Sequence, residues 1–519
     1  MKTAPNLNEL SSDQLRELAS QLLQEVQEKD QLITQKTQTI QHVELENSKL
    51  KYEIAILKRH KFARTSEALN PHQRSLLDDL INEDMAGIEE QLAQHDVALG
   101  SDPKPKSQPR RAPLPPELPR AIIPHDPDST LCDCGCQLKR IGEDVSEKLD
   151  YIPGTFTVER HVRSKWACPD CEAFVQAPVP PQVIDKGIPA PGLLAQVLVA
   201  KYGDHLPLYR QEKIFARAGV EIARSTLADW VGRCGVALQP LVDSLRALLH
   251  EQGVLHADET PVAMLSPGKK KTHRAYVWAY TSTEFSGLNS VVYDFAPSRS
   301  GEHVRRFLEG WQGQLVCDDF AGYKASFQNG TTEIGCMAHA RRKFFDLHAA
   351  NQSTLAHEAL QQIGRLYEIE RQAKDLSDDA RTAYRQVHAR PLLDTFHQWL
   401  LTQRQKVPNG SATAKAIDYS LKRWAALIRY CEDGAVPIDN NRVENQIRPW
   451  ALGRNNWLFA GSLRSGQRAA NVMSLIQSAK MNGHDPYAYL KDVLTRLPTQ
   501  PASRIGELLP HGWGAPTKG

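Results

Sequence analysis

GVLHADETPVAML, residues 253–265, carries two conflicting signals. Val254, Leu255, Val262, Met264 and Leu265 predict a strand running into a core. Its centre holds His256, Asp258 and Glu259, and adjacent acids are costly in a buried strand unless something compensates them. Either Asp258 sits at a strand end and faces water, or a ligand makes the carboxylate tolerable there.

Further strand patterns follow at RAYVWAYTS (274–282) and NSVVYDFAPS (289–298), then a helix GEHVRRFLEGW, a strand GQLVCDDFAGY, and a short strand TTEIG that runs through CMAHARRKFFDLH into a helix. Three strands, a helix, a strand and a helical return is the element order of the ribonuclease-H-like α/β fold. Residues 345–435 are helical in pattern throughout and read as an insertion before the last helix, which carries Glu444. In that fold the first and fourth strands are neighbours, so Asp258 and Asp318 project from one sheet edge and Glu444 packs across it. Three clustered carboxylates repel one another and make sense around divalent cations. Hard oxygen donors with an incomplete protein shell select Mg²⁺ or Mn²⁺, two of which serve phosphoryl transfer. Because neighbouring strand residues face opposite ways, Glu259 and Asp319 are set aside in favour of Asp258 and Asp318.

Before this core lies a heptad. Of 13 seam positions between Leu15 and Leu57, ten are apolar, with no proline or glycine between them. This predicts a coiled coil, with Lys29, Lys36 and Asn47 setting register and partner number. It runs into the basic patch LKRHKFARTSEAL (57–69), whose Lys61 and Arg64 are candidate DNA contacts. Residues 101–120 hold seven prolines and read as a semi-rigid linker. Five of the nine cysteines fall between Cys132 and Cys171. Paired thiolates on hairpin-linked knuckles suit tetrahedral zinc. The expected ligands are Cys132, Cys134, Cys168 and Cys171, with Cys136 as the alternative to Cys134. The segment YRQEKIFARAGVEIARSTLADWVGR has the spacing of a helix-turn-helix, with a turn at Gly219 and Ser225 as N-cap; Arg224, Ser225 and Thr226 would then approach a DNA groove. Equally, Ile214, Phe215, Leu227 and Trp230 fit the core of a plain helical connector.

The 519 residues suffice for two to four domains, and the formal charge of +2 conceals a basic C-terminal part. From Asn441 onward ten Lys/Arg face four Asp/Glu, which permits contact with a polyanion. No apolar run is long enough for a membrane helix and no signal peptide is visible, so an intracellular, cytoplasmic protein is expected, with metal rather than disulfides on the clustered cysteines.

The group HADET, CDDFAGY, CMAHARRKF and PIDNNRVENQIRPWALGRNNWLFAGS resembles the DDE transposases of the insertion-sequence-66 family, and the cysteine region, the segment before the core and the N-terminal zipper extend the likeness to nearly the whole chain. The resemblance implies a polynucleotidyl transferase that cleaves element ends and joins them to target DNA by transesterification. Asp258, Asp318 and Glu444 match its catalytic acids. Arg342, Lys343, Arg448 and Arg454 are candidates for holding DNA phosphates. Implied partners are terminal repeats and target DNA at the nucleoid, a second copy through the coiled coil, and small accessory proteins of the same element. Rival expectations are a same-fold nuclease that cuts without joining and an inactive DNA-binding protein. The expected order is a coiled coil with basic end (1–70), a helical segment and linker (71–120), a zinc-ribbon-like domain (121–182), helices (183–250), the catalytic core (251–460, insertion about 350–435) and a basic tail (461–519).

Overall fold

The computed structural model describes residues 12–62, 71–98 and 114–514, except 117, 128, 133–135, 153, 185–186, 266–271 and 329. The chain divides into two compact units, residues 1–65 with 88–110, and residues 66–87 with 111–519.

In the first unit the heptad segment is one helix, Ser12–Phe62. Its seam changes character along its length. Leu22, Val26, Ile33 and Ile40 are 44–60% exposed, whereas Asn47 and Leu50 are buried. Asn47 Oδ1 lies 2.8 Å from His95 Nδ1, so this polar seam position finds its partner within the chain.

The second unit begins with a small sheet. Strands β1 (Arg120–His125), β2 (Lys139–Ile152), β3 (Thr155–Ala167) and β4 (Phe174–Gln176) run in the order β1-β3-β2, with β4 also on β3. The long β2–β3 hairpin closes at Ile152↔Thr155, and Gly154 at φ +91° supplies the left-handed turn conformation that a side chain would disfavour. Helices Pro191–Tyr202, Leu208–Arg217, Arg224–Ala237 and Gln239–His250 follow.

The central sheet has β5 (Val254–Met264), β6 (His273–Ser282), β7 (Val291–Ala296), β8 (Gln314–Cys317) and β9 (Thr332–Gly335) in the order β7-β6-β5-β8-β9. β5, β6 and β7 pair antiparallel; β8 and β9 join parallel to β5 and to each other. Parallel strands buried on both faces need continuous apolar sequence, and Leu315, Val316 and Cys317 supply it.

After β9 the chain is helical from Met337 to Ile428. Ser353, Ser377 and Ser411 begin three of these helices by accepting the backbone N–H of Ala356, Ala380 and Ala414, satisfying donors the first turn leaves open. These helices share their own apolar cluster with β8 and β9. Within it Arg385 is fully buried, bidentate on Glu370 at 2.6 and 3.0 Å, and donates to the carbonyls of Tyr430 and Asp433.

Two expectations are corrected here. The expected tail of 461–519 is, over its described residues, part of the fold: helix Leu463–Met481 packs along β7, with Val472, Met473, Leu475 and Ile476 buried in the main core. The outward N–H groups of edge residues Val291 and Tyr293 donate to Ser478 and Ser474, and Gly466 lets the helix approach Phe295 where a β-carbon would come within 2.4 Å. The basic count there was real, but the alternating apolar residues bury. Nor does Ser225 cap its helix. Ala223 holds that position, and Glu212 accepts the N–H of Arg224 instead.

Candidate active site

Asp258 lies in β5, and Asp318 follows β8 directly. His256 pairs with Val316 across the parallel ladder. Each aspartate stands two residues farther along its strand, so both reach the same level and the same face of adjacent strands. Glu444 comes from the first turn of helix Asn441–Trp457, which packs on β5 and β6. The three charges interact: burial pushes the Asp258 carboxyl well above its usual range, and Glu259, Asp318 and Glu444 push it further.

The neighbours of these acids divide into two kinds. Glu259, of which the side chain is 1% exposed, is compensated: Arg299 donates to Oε1 and Tyr323 to Oε2 at 2.7 Å. Asp319 turns outward and meets Arg423 at 3.0 Å, which also holds Glu333 at 2.8 Å. Among the described residues, Asp258 and Asp318 accept only nearby backbone N–H groups, from Glu259 and Phe320, each at 2.9 Å. Glu444 has His339 Nδ1 at 3.8 Å and shares a cluster with Cys336 within 4.8 Å. Among the described residues, no lysine or arginine pairs with any of the three. Hard oxygen donors with no ion-paired lysine or arginine are chemically suited to a divalent ion; Arg299, held on Glu259, acts on Asp318 through its field and not by pairing with it.

What fixes the helix is a buried clamp. Asn440 is fully buried, and its Nδ2 donates to the Ala257 carbonyl at 2.9 Å while Oδ1 lies 2.8 Å from His256 Nδ1. That orientation makes His256 Nδ1 the donor and leaves Nε2 unprotonated. Burial accordingly holds the His256 ring down at about 4. Arg442 adds bonds to the Ser282 carbonyl at 2.7 Å and to Asn289 at 2.8 Å, and Tyr293 donates to the Gln446 carbonyl at 2.6 Å. The sequence reading assigned none of these residues. Their only signal was position, since Asn440 and His256 lie beside the acids in the quoted motifs.

The cysteines gather as well. Cys132, Cys168 and Cys171 place their sulfurs within 4.8 Å of one another, and Cys136 lies within the same distance of Cys168 and Asp170. Cys134 lies outside the described residues, as do Arg64 and the side chain of Lys61.

The expected DNA contacts separate. Arg342, Lys343, Arg448 and Ser225 are exposed, and Thr226 is half-buried. Arg224 instead meets buried Asp79 at 2.6 Å, and Arg454 donates to the Pro261 carbonyl at 3.0 Å. Both helices expected of a helix-turn-helix are present, joined through Gly219 at φ +83°, and Phe215, Leu227 and Trp230 are core residues. Among the described residues no helix is long and apolar enough to cross a membrane.

Comparison with known proteins agrees with this architecture. Residues 186–468 match the model described as Transposase IS66 family and 474–511 that of the IS66 C-terminal element. Residues 129–172 match the zinc-finger binding domain of transposase IS66, and 49–123 the model described as Transposase C of IS166 homeodomain. These matches, a helical N-terminal region, a cysteine-bearing ribbon and a mixed α/β core define a transposase-type chain. It belongs to the IS66 transposase family. Its relatives include two uncharacterized proteins of Sinorhizobium fredii. One, y4hP, is 37% identical over 79% of this chain and 78% of its own length. The other, y4jD, is 36% identical over 90% and 94%.

Proposed function

We propose that this chain cleaves DNA at the ends of an insertion sequence and joins the freed ends to target DNA, with Asp258, Asp318 and Glu444 holding two divalent ions, Mg²⁺ or Mn²⁺. The observation that carries the reading is that Asp318 and Glu444 lie near enough to push the Asp258 carboxyl upward while, among the described residues, no lysine or arginine is ion-paired to any of the three, beside two acids that are so paired. Strand order β7-β6-β5-β8-β9, three antiparallel and two parallel, supports a ribonuclease-H-like core. When bound, the ions supply charge stabilisation to the attacking and leaving oxygens of an in-line displacement. The chain supplies rigid placement. Two ligands stand on paired strands, and the third stands on a helix that Asn440 and Arg442 fasten to the sheet. Cleavage by water breaks a phosphodiester, leaving a 3′-OH on one side and a 5′-phosphate on the other. That hydroxyl then attacks a target phosphodiester and expels the target's own 3′-OH, so in the joining step the bond broken is replaced by one of similar energy.

The zinc-binding domain takes Cys132, Cys168 and Cys171 in this reading, and Cys136, whose sulfur lies within 4.8 Å of that of Cys168, is taken as the fourth ligand. Exposed Arg342, Lys343 and Arg448 contact phosphates, with Lys61, Arg64, Ser225 and Thr226 as further contacts; Arg224 and Arg454 are assigned to holding the fold. DNA bound through such contacts weakens steeply with salt. The open half of the heptad seam pairs with a second copy, which holds two DNA ends together in the cytoplasm at the nucleoid. Small accessory proteins of the same element complete the assembly.

The test is an excision and integration assay with a marker between the element's own ends, comparing wild type with Asp258→Ala and supplying adjacent small reading frames. Movement with wild type alone supports the proposal. Equal movement with both removes Asp258 from the reaction. Binding of the ends without movement by either reassigns the chain to DNA binding.

A further inference from the structure

An open groove of about 600 Å³ is lined by Ala338, Arg341, Arg342, Phe345, Gly364, Tyr367, Arg371 and Asn441. Two helices wall it. Ala338, Arg341, Arg342 and Phe345 recur at the three- and four-residue spacing of one face of helix Met337–Asn351. Gly364, Tyr367 and Arg371 do the same on helix Thr354–Ala373. Asn441 closes one end and stands in the same first helical turn as Glu444, three residues before it.

Its chemistry is that of an anion with an attached ring. Among the described residues Arg341 and Arg342 have no carboxylate partner, and Arg371 is tied only to exposed Glu368. Asp439, next to Asn441 in the chain, accepts from Tyr367 at 2.8 Å and Asn441 at 2.7 Å. Phe345 is 50% exposed, with the Arg341 guanidinium 5.9 Å from its ring centre. A β-carbon at Gly364 would meet no atom within 4 Å, so the opposite wall is left open to its backbone.

We propose that this groove binds a single unpaired DNA strand, with phosphates on Arg341, Arg342 and Arg371 and one base stacked on Phe345. The inference rests on the strand-transfer reading and extends it to a specific surface. A duplex cannot offer Phe345 a face, because its bases are already stacked on one another. An unpaired nucleotide can, and stacking on an aromatic ring is independent of sequence. Held there, a frayed strand end would lie one helical turn from Glu444 instead of re-pairing.

The test uses the full-length chain and two fluorescently labelled DNAs in the absence of added divalent ion. One is a blunt duplex. The other carries the same duplex with a single-stranded 3′ extension containing an adenine analogue that is quenched on stacking. Wild type is expected to bind the extended DNA more tightly and to quench the analogue. Phe345→Ala should abolish the quench and weaken binding of the extended DNA on the order of ten-fold, with blunt-duplex affinity unchanged. Phe345→Trp should restore both; because this side chain is half exposed, neither change threatens the fold. Arg341→Gln with Arg342→Gln should weaken the extended DNA more than the duplex. Equal effects on both DNAs, or none on either, overturn the groove assignment and leave the transposase reading intact. Competition by polyglutamate as strong as by single-stranded DNA makes the groove a general anion surface and also overturns it. Failure of wild type to bind either DNA overturns both readings.

Discussion

Asn440 is where a single substitution separates helix capping from tertiary clamping. It occupies the N-cap position of helix Asn441–Trp457, yet its side chain makes no cap bond. Asp439 accepts the Asn441 N–H at 3.0 Å instead, and Asn440 reaches into the sheet. Asn440→Ala removes two buried hydrogen bonds, each worth about 1 kcal/mol net, and orphans the Ala257 carbonyl and the His256 Nδ1–H at roughly 1–3 kcal/mol apiece. Partial relaxation brings the expected loss to about 3–5 kcal/mol, felt locally in the first turns of the helix. Hydrogen exchange of amides 441–447 reads it, as a fall in protection of roughly a hundred-fold or more. Glu444 sits in that turn, and displacement of a reacting group by about 1 Å can cost on the order of a hundred-fold in rate. Strand transfer should fall accordingly while DNA binding holds. Asn440→Ser restores a good cap but not the clamp, so it should fail to rescue. Full protection in Asn440→Ser would refute the reasoning and make Asn440 an ordinary cap. The clamp also depends on pH. His256 is held at about 4 against an ordinary 6.5, so its contribution is complete above 6.5 and is lost as pH falls through the folded value.

Other consequences can be checked in the same protein. Because burial and the neighbouring acids disfavour a charged Asp258 carboxylate, Asp258→Asn should leave the melting temperature without added metal unchanged or raised, and Mn²⁺ should stabilise wild type but not this variant. Arg385→Met leaves part-buried Glu370 without its partner and should destabilise the helical insertion by about 3 kcal/mol in urea unfolding, part of it recovered by adding Glu370→Leu. Cys136→Ser should lower zinc content by metal analysis and Cys134→Ser should not; the reverse result reassigns the fourth ligand. Ile33→Glu with Ile40→Glu should shift sedimentation to the monomer, and an unchanged mass would place the oligomer contact elsewhere.

Local pattern was enough to place the elements. The predicted strands at 254–265, 274–282 and 289–298 are observed as Val254–Met264, His273–Ser282 and Val291–Ala296, because period-two alternation and buried apolar runs are properties of neighbouring residues. The heptad likewise announced a long helix, and the quoted motifs pointed to the family. Asp258 raised its question from sequence alone, since an acid in an apolar strand is a conflict visible without a fold.

Only the tertiary structure decided which charges have partners. Arg224, Arg454 and Arg342 look alike in sequence, yet the first meets a buried aspartate, the second a strand carbonyl, and the third lies exposed on a groove. Glu259 and Asp258 are neighbours, but Arg299 and Tyr323 reach just one of them, from 40 and 64 residues away. Asn440 finds His256 across 184 residues. A chain encodes such pairs in no local period, because hydrogen bonds and ion pairs depend on positions that exist only once the sheet and its covering helices have packed.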